Sequence, residues 1–395
     1  MPCWPLRRRP SPQFVTCRCR PSPLHPAPSA LSVVTEELRQ GTLEKEGKGR
    51  PSETDTHSHT RAHLSCASMK TEPDTRVPAP ASEMSKSTIP KPLFRFVIPD
   101  REEFSSLLEY VATMPQAIID TPPVGYDAPV ECRRLAGETL QLMLQCIHML
   151  DDFFSARMCI VGLCAANIVV STWSLEPKLA AGVKLTEKWS RKLQAKNMRR
   201  LAEIFRRDIL KGARPPPPEV EHLLHLMSSR HSSVKMMYLI KNHPCFVPMS
   251  NRTIYTTRLV ECVWGELFHR EDRAAFDHVM ENLVYPRDWH LRVRRNKHML
   301  AFYGDRDYDP EGTKRPGETV PALEVLKYNY NSSMDGIKHA VDVRAPHGML
   351  FGWKDMGHML YSVFDMVLAS TAESLHRLGK LEEQRVDSLV LSRYR

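Results

Sequence analysis

The sequence predicts a mainly α protein: amphipathic and buried helices, a small α+β insert and a disordered N-terminal leader. Three observations carry that reading. Apolar residues recur at helical spacing in several stretches after residue 98; proline and aperiodic charge fill the chain before it; local alternation with turn chemistry is confined to residues 243–345. The boundaries follow as 1–98 for the leader, 99–242 for a helical domain, 243–345 for an insert or small α+β lobe, and 346–395 for a C-terminal amphipathic helix. With 395 residues, 42% of them hydrophobic, the chain has material for one large or two ordinary domains.

The leader holds nearly half of the 31 prolines and few aromatics, and blocks such as RRRPSPQ and KEGKGRPSETDTHSHTRAH have no apolar period. Such a segment cannot bury enough surface to offset its ordering entropy. Its first 35 residues contain no Asp or Glu, which is transit-peptide composition, yet its prolines forbid the amphipathic helix such peptides use. Two readings stay open: a targeting segment, or a leader preceding a true start at Met69 or Met84. Over the whole chain, Lys+Arg 55 against Asp+Glu 46 gives a net charge of +9, favouring a polyanionic partner. The ten cysteines form no CxxC pair, and Cys146, Cys159 and Cys164 lie in apolar runs; this is the usage of a reducing compartment.

Order is expected to begin at PLFRFVIPD, with Asp100 as N-cap, Glu103 closing a capping box, and Pro115 ending the helix. From Glu131 to Trp173 apolar residues crowd nearly every side, Leu140, Leu142, Met143, Ile147, Leu150, Phe153 and Phe154 among them. A helix apolar all round is buried in protein or lipid. The run from Met158 to Trp173 falls short of the roughly 20 residues a span requires, so a buried core helix is favoured over a tilted, re-entrant or interfacial membrane segment. EVEHLLHLM reads as another short helix. WHLRVRRNKHMLAFYG has the alternation of a strand, and GDRDYDPEGTKRPGETVP is loop chemistry. In the last stretch Met356, Met359, Leu360, Val363, Phe364, Val367, Leu368, Leu375 and Leu378 form one stripe packing on one face only, with Gly379 as C′ cap.

The most pointed stretch is KWSRKLQAKNMRRLAEIFRRDILKGAR, read as a helix over 184–212 that stops at PPPP. From Lys184 to Arg214 there are eleven Lys or Arg and three acids. Leu193, Met198, Leu201, Ile204, Phe205 and Ile209 span one side; Lys188, Lys192, Arg199, Arg206 and Arg207 cluster on the other. A solvated face of a core-packed helix is one reading. Against it, an ordinary solvated helix mixes Glu with its Lys at i,i+4. With Trp189 at its head, the stretch fits a helix lying in the headgroup plane, Leu193, Leu201, Phe205 and Ile209 entering the acyl boundary while the cations hold anionic lipid. The same charges suit RNA phosphates, although aromatic interleaving is sparse and no RNP, KH or CCHH signature is present.

Catalytic and metal motifs are incomplete. MLDDFFSAR sets Asp151 and Asp152 as in the diphosphate-binding cluster of isoprenoid synthases, but Ser155 stands where a third Asp is required and no second cluster exists. Asp305, Asp307 and Asp309 have calcium-loop spacing, with Pro310 in place of the needed Gly. Glu221, His222 and His225, with His231 nearby, match neither HExxH nor HxxEH, and surface histidines are expected. GxSxG, P-loop and GxGxxG are absent, so no cofactor is expected.

Three segments, EEFSSLLEYVATM, LTEKWSRKLQAKNMRRLAEIFRRDI and MLYSVFDMVLASTAESLHRLGKL, resemble in that order segments of the peroxisomal biogenesis factor 11 family. Glu187, Lys188 and Trp189 match its EKW-headed basic helix; Asp365, Leu378 and Gly379 match its late helix. The resemblance covers about a quarter of the chain. It implies a non-catalytic protein that inserts amphipathic helices into a peroxisome-type membrane and promotes its division. The chain departs from that pattern in the long stretch 243–345 and in its polar tail. The expectation is thus an anionic lipid membrane as partner, with self-association beside it. The alternatives are an RNA-associated assembly subunit, mitochondrial in location, and an isoprenoid-synthase-like enzyme.

Overall fold

Ser106 opens the first helix. Its Oγ accepts from the Glu109 N–H at 3.2 Å and Glu109 Oε2 accepts from the Ser106 N–H at 2.9 Å, a reciprocal box that starts α1 (Leu107–Thr113). The computed structural model describes residues 103–174, 176–211, 215–229, 235–269, 272–304, 321–342 and 351–390. The leader, Asp100, His231 and the calcium-like loop with Asp305, Asp307 and Asp309 lie outside the described residues. The expected helix start at Asp100 is corrected: Phe104–Ser106 forms strand β1, and the box falls to the next S-x-x-E. Pro115 ends the helix as expected, holding Met114 in the extended region.

The chain is mainly α, with twelve helices among the described residues and a few short antiparallel strands. β2 (Ile118–Asp120) pairs with β3 (Arg133–Leu135), and β4 (Cys159–Ile160) pairs with β7 (Leu185–Thr186). A three-stranded sheet has β5 (Ile168–Ser171) between β1 and β6 (Pro177–Leu179), with Phe104 opposite Ser171 and Ile168 opposite Leu179. All these strands precede residue 187. The strand expected in WHLRVRRNKHMLAFYG is instead two helices, α8 (Trp289–Arg294) and α9 (Lys297–Gly304). Alternation over so short a window is shared by both periods, and burial of Trp289, Val293 and Met299 against other helices decides for the helical one.

Helix α2 (Gly137–Ser155) is apolar all round because protein surrounds it; Leu142, Met143, Leu144, Ile147, Leu150 and Phe153 are buried. It does not run on to Trp173. Arg157 takes a left-handed turn at φ 57°, and the apolar run beyond it supplies β4 and β5. No helix among the described residues is long and apolar enough to cross a membrane.

Helix α3 (Arg191–Ile204) passes into a π turn over Phe205–Ile209, and α4 (Pro218–Ser228) packs beside it. After α5 (Met237–Lys241) comes α6 (Met249–Glu261), the central element. It touches α10 (Pro321–Asp342), α11 (Trp353–Val363) and α12 (Val367–Arg377), while α7 (Arg273–Asn282) lies against α12. Within the described part of 243–345, Tyr255 and Leu259 of α6 and Trp289 of α8 belong to the same core as α2 and α11. Trp289 has its ring 5.4 Å from Tyr328 and 5.9 Å from Phe364, joining α8, α10 and the end of α11.

The C-terminal stripe is two helices, broken between Val363 and Val367. Met356 to Tyr361 are all buried, as are Val367 to Ala372, so the expected one-faced packing is corrected. Their neighbours approach from several directions, and α11 meets α6 so closely that a Cβ on Gly357 would collide with the Met249 carbonyl. Gly379 does cap the last helix: at φ 71° it donates to His376 O at 3.0 Å while Lys380 N–H reaches Leu375 O at 2.8 Å, a Schellman arrangement.

Candidate polyanion-binding surface

The basic helix begins at Arg191 rather than 184, because Leu185 and Thr186 are taken up by β7 and Ser190 serves as N-cap, accepting from Leu193 N–H at 3.2 Å. Its inner face is fixed by more than apolar contact. Buried Asn197 accepts from Ile160 N–H at 3.0 Å and donates to Ile160 O at 2.8 Å, stitching α3 to β4. Met198, Leu201, Phe205 and Ile209 are fully buried. The π turn, closed by Leu210 N–H to Phe205 O at 2.9 Å, carries one extra residue and keeps both Phe205 and Ile209 inward.

This corrects the wedge expected for Leu201, Phe205 and Ile209. Each is packed in the core, where full burial of such a side chain contributes roughly 1.5–3 kcal/mol. Turning them into a bilayer would leave the faces of α2 and α4 they now cover exposed to water. Leu193 is half-buried against the same core.

The outward face divides in two. Arg200 pairs with Glu203, Arg206 with Glu221 and Arg207 with Asp208, while Arg199 Nε donates to Ser228 O at the C-terminus of α4. Lys188, Arg191, Lys192 and Lys196, all exposed, have no carboxylate within ion-pair distance among the described residues, and Lys184 shares that condition. Trp189, 42% exposed, lies among them. Arg191 and Lys192 occupy the first turn, where the helix end already carries partial positive charge, so the potential there is reinforced. Of the residues the sequence singled out, Lys188, Trp189 and Lys192 are thus brought together on the surface; Arg199, Arg206 and Arg207 are tied to protein partners. Arg191 and Lys196 were missed. Part of the signal was present in RKLQAK, where Lys192 and Lys196 have no acid three or four residues away to answer them, whereas RRLAE answers Arg200 with Glu203.

Of a second, buried group of charges, sequence reading singled out only His222. Glu219, in the first turn of α4, makes two hydrogen bonds with Arg252 of α6, one at 3.2 Å; both residues are buried, and the guanidinium lies 4.6 Å from the Tyr361 ring centroid. Burial pushes the Glu219 carboxyl up against the pull of Arg252. His222 is not a surface histidine: its Nε2 is 2.7 Å from Glu373, and its Nδ1 is 2.9 Å from His243 Nε2. Cys245 N–H donates to His243 Nδ1 at 3.2 Å, which places the His243 proton on Nε2, so three donors run in one direction and end at the carboxylate. Burial holds His243 well below the usual imidazole range and Cys245 well above the usual thiol range, leaving the first uncharged and the second a thiol. The bonds from His222 and Arg377 hold Glu373 down at about 2. The chain ties α4 to α12 and the 244–246 turn. His225 is exposed, as expected. Asp151, the leading member of the aspartate pair, is taken by Lys241 at 2.6 Å.

Among the described residues no three His, Cys, Asp or Glu side chains are gathered for a metal ion. No protein-family model matches the chain, and no curated protein is similar to it.

Proposed function

We propose that the protein is a non-catalytic, peripheral membrane protein that docks on an anionic lipid surface through Lys188, Trp189, Arg191, Lys192 and Lys196. The observation that supports it is the contrast along one segment: four exposed cations without a counter-charge among the described residues accompany an exposed tryptophan, while the arginines further on are each answered by an acid or a carbonyl. Cations near an anionic leaflet contribute about 1 kcal/mol each, and a tryptophan beside them settles at the headgroup level. Contact through this end leaves the core intact, so the mode is surface docking rather than helix insertion. The membrane we propose is of the peroxisomal kind, on the resemblance of the three segments, and crowding of docked copies on one leaflet is the route by which it would be remodelled.

Flotation of the full chain with phosphatidylserine-containing and with pure phosphatidylcholine vesicles tests the reading, with RNA added in parallel. The anionic vesicles should carry the protein and the neutral ones should not. Replacing Lys188, Arg191, Lys192 and Lys196 with Gln should weaken binding by about a thousandfold, the sum of four such charges. A quadruple variant that floats like the parent would sink the proposal. RNA that strips the parent from the vesicles would transfer the surface to phosphate recognition.

A further inference from the structure

A cavity of about 50 Å³ lies where β3, α4, α6 and α11 meet. Its charged walls are Arg134, Glu219 and Arg252, and Tyr361 and Cys245 also line it. Within this group Glu219 and Arg252 cancel, and Tyr361 spends its hydroxyl on Arg133 O at 3.2 Å. Arg134 is left over. Its strand neighbour Arg133 donates to Pro215 O at 2.8 Å and meets Glu131 at 3.5 Å, but Arg134 has neither a carboxylate nor a hydrogen-bond acceptor among the described residues. Its Nε is sealed from solvent without a partner. A buried N–H without an acceptor is costly, and the remaining donors of the same guanidinium are free to take an anion.

The positive excess is felt nearby. His358 Nε2 is also buried without a partner, and burial together with Arg134 and Lys354 lowers its titration to about 4. The rest of the wall is apolar, with Leu135, Leu140 and Met249 facing the space. Leu140 and Met249 are only half-buried, so this end of the cavity reaches towards the surface. The volume accommodates a few water-sized groups, each needing roughly 10–15 Å³, and is too small for a drug-sized ligand.

We infer that this cavity is a binding site for a small aliphatic carboxylate, whose two oxygens take the fork of Arg134 while its short chain lies against Leu135, Leu140 and Met249. The planar guanidinium matches a carboxylate in two parallel bonds, which a spherical or tetrahedral anion does not reproduce, and the apolar wall favours carbon over water at the other end.

Propionate, its neutral isostere propionamide, and inorganic phosphate are the probes, each titrated into the full chain at constant ionic strength while thermal unfolding is followed. Propionate should raise the midpoint in a saturable way and propionamide should not. Arg134→Gln should weaken the propionate response about tenfold to a hundredfold, as expected for a lost hydrogen bond to a charged group, with flotation on anionic vesicles unchanged. Arg134→Lys, which keeps the charge and loses the fork, should fall between. Equal responses to propionate and propionamide, a response retained in Arg134→Gln, or an equal response to phosphate would each overturn the assignment. Should Arg134→Gln fail to fold, the propionate and propionamide curves of the parent chain decide alone. Because Arg134 is far in sequence and function from the docking patch, failure here leaves the flotation result standing, and the reverse also holds.

Discussion

The two halves of the outward face between Lys188 and Arg207 carry four cations each, in opposite circumstances. Between Lys188 and Lys196 the cations are exposed, with no carboxylate in ion-pair distance among the described residues; between Arg199 and Arg207 every guanidinium has found a partner in Glu203, Asp208, Glu221 or the last turn of α4. A charge count over the whole segment merges them. The difference teaches that the polyanion reading belongs to one end of the helix, the end where the chain has just left the β4–β7 pair and where Trp189 is exposed. The other end is bound into the protein, and so is the entire inner face.

The largest expected effect breaks inner from outer. Phe205→Asp places a carboxylate at a fully buried position, and loss of the ring alone costs about 3–5 kcal/mol. The variant should therefore unfold at much lower urea than the parent, rather than detach from vesicles as a folded protein. A cooperative midpoint equal to the parent's would mean the inner face is not packed as described. A second comparison sets the buried histidines against the exposed cations. His243 and His358 titrate in the folded protein below their unfolded value of about 6.5. The unfolded chain then binds more protons, so stability is full above that value and is lost as pH falls towards about 4, where His358 titrates. Urea midpoints measured across this window should drop, and His358→Asn should flatten part of the slope. The smallest effect sharpens the contrast within the outer face. Arg206→Gln and Glu221→Gln break an exposed pair worth about 0.2–1 kcal/mol, so each should move the urea midpoint barely and vesicle binding not at all; a large loss of binding in Arg206→Gln would erase the division between the halves.

Much of the fold was legible because helical periodicity and stops are local. Pro115 and Gly379 end helices where expected, and α2, α4 and the two faces of α3 follow from apolar spacing; the basic helix leaves its regular turns at Ile209, before PPPP, whose last proline opens α4. What was not legible depended on partners distant in sequence. Phe104 goes to a strand because Ser171 lies opposite it, and WHLRVRR goes to a helix because Trp289 meets Tyr328 and Phe364. The site was half legible for the same reason: eleven cations could be counted along the chain, but the acid that silences Arg206 comes from another helix, and the carboxylate that answers Arg252 is 33 residues away. Arg134 carried no sequence signal, since its surroundings are set by α4, α6 and α11, all distant in sequence.

Gly357 leaves a last consequence. Its hydrogen is all that fits between α11 and the Met249 carbonyl, and Met249 is also a wall of the cavity beside Arg134. The position therefore has an alphabet of one. Gly379 has open space around it, and its left-handed backbone would still admit asparagine. Drift in this chain would thus be arrested at the first glycine and merely slowed at the second, and any lineage that lost the first would have to rebuild the meeting of α6 and α11 in the same step.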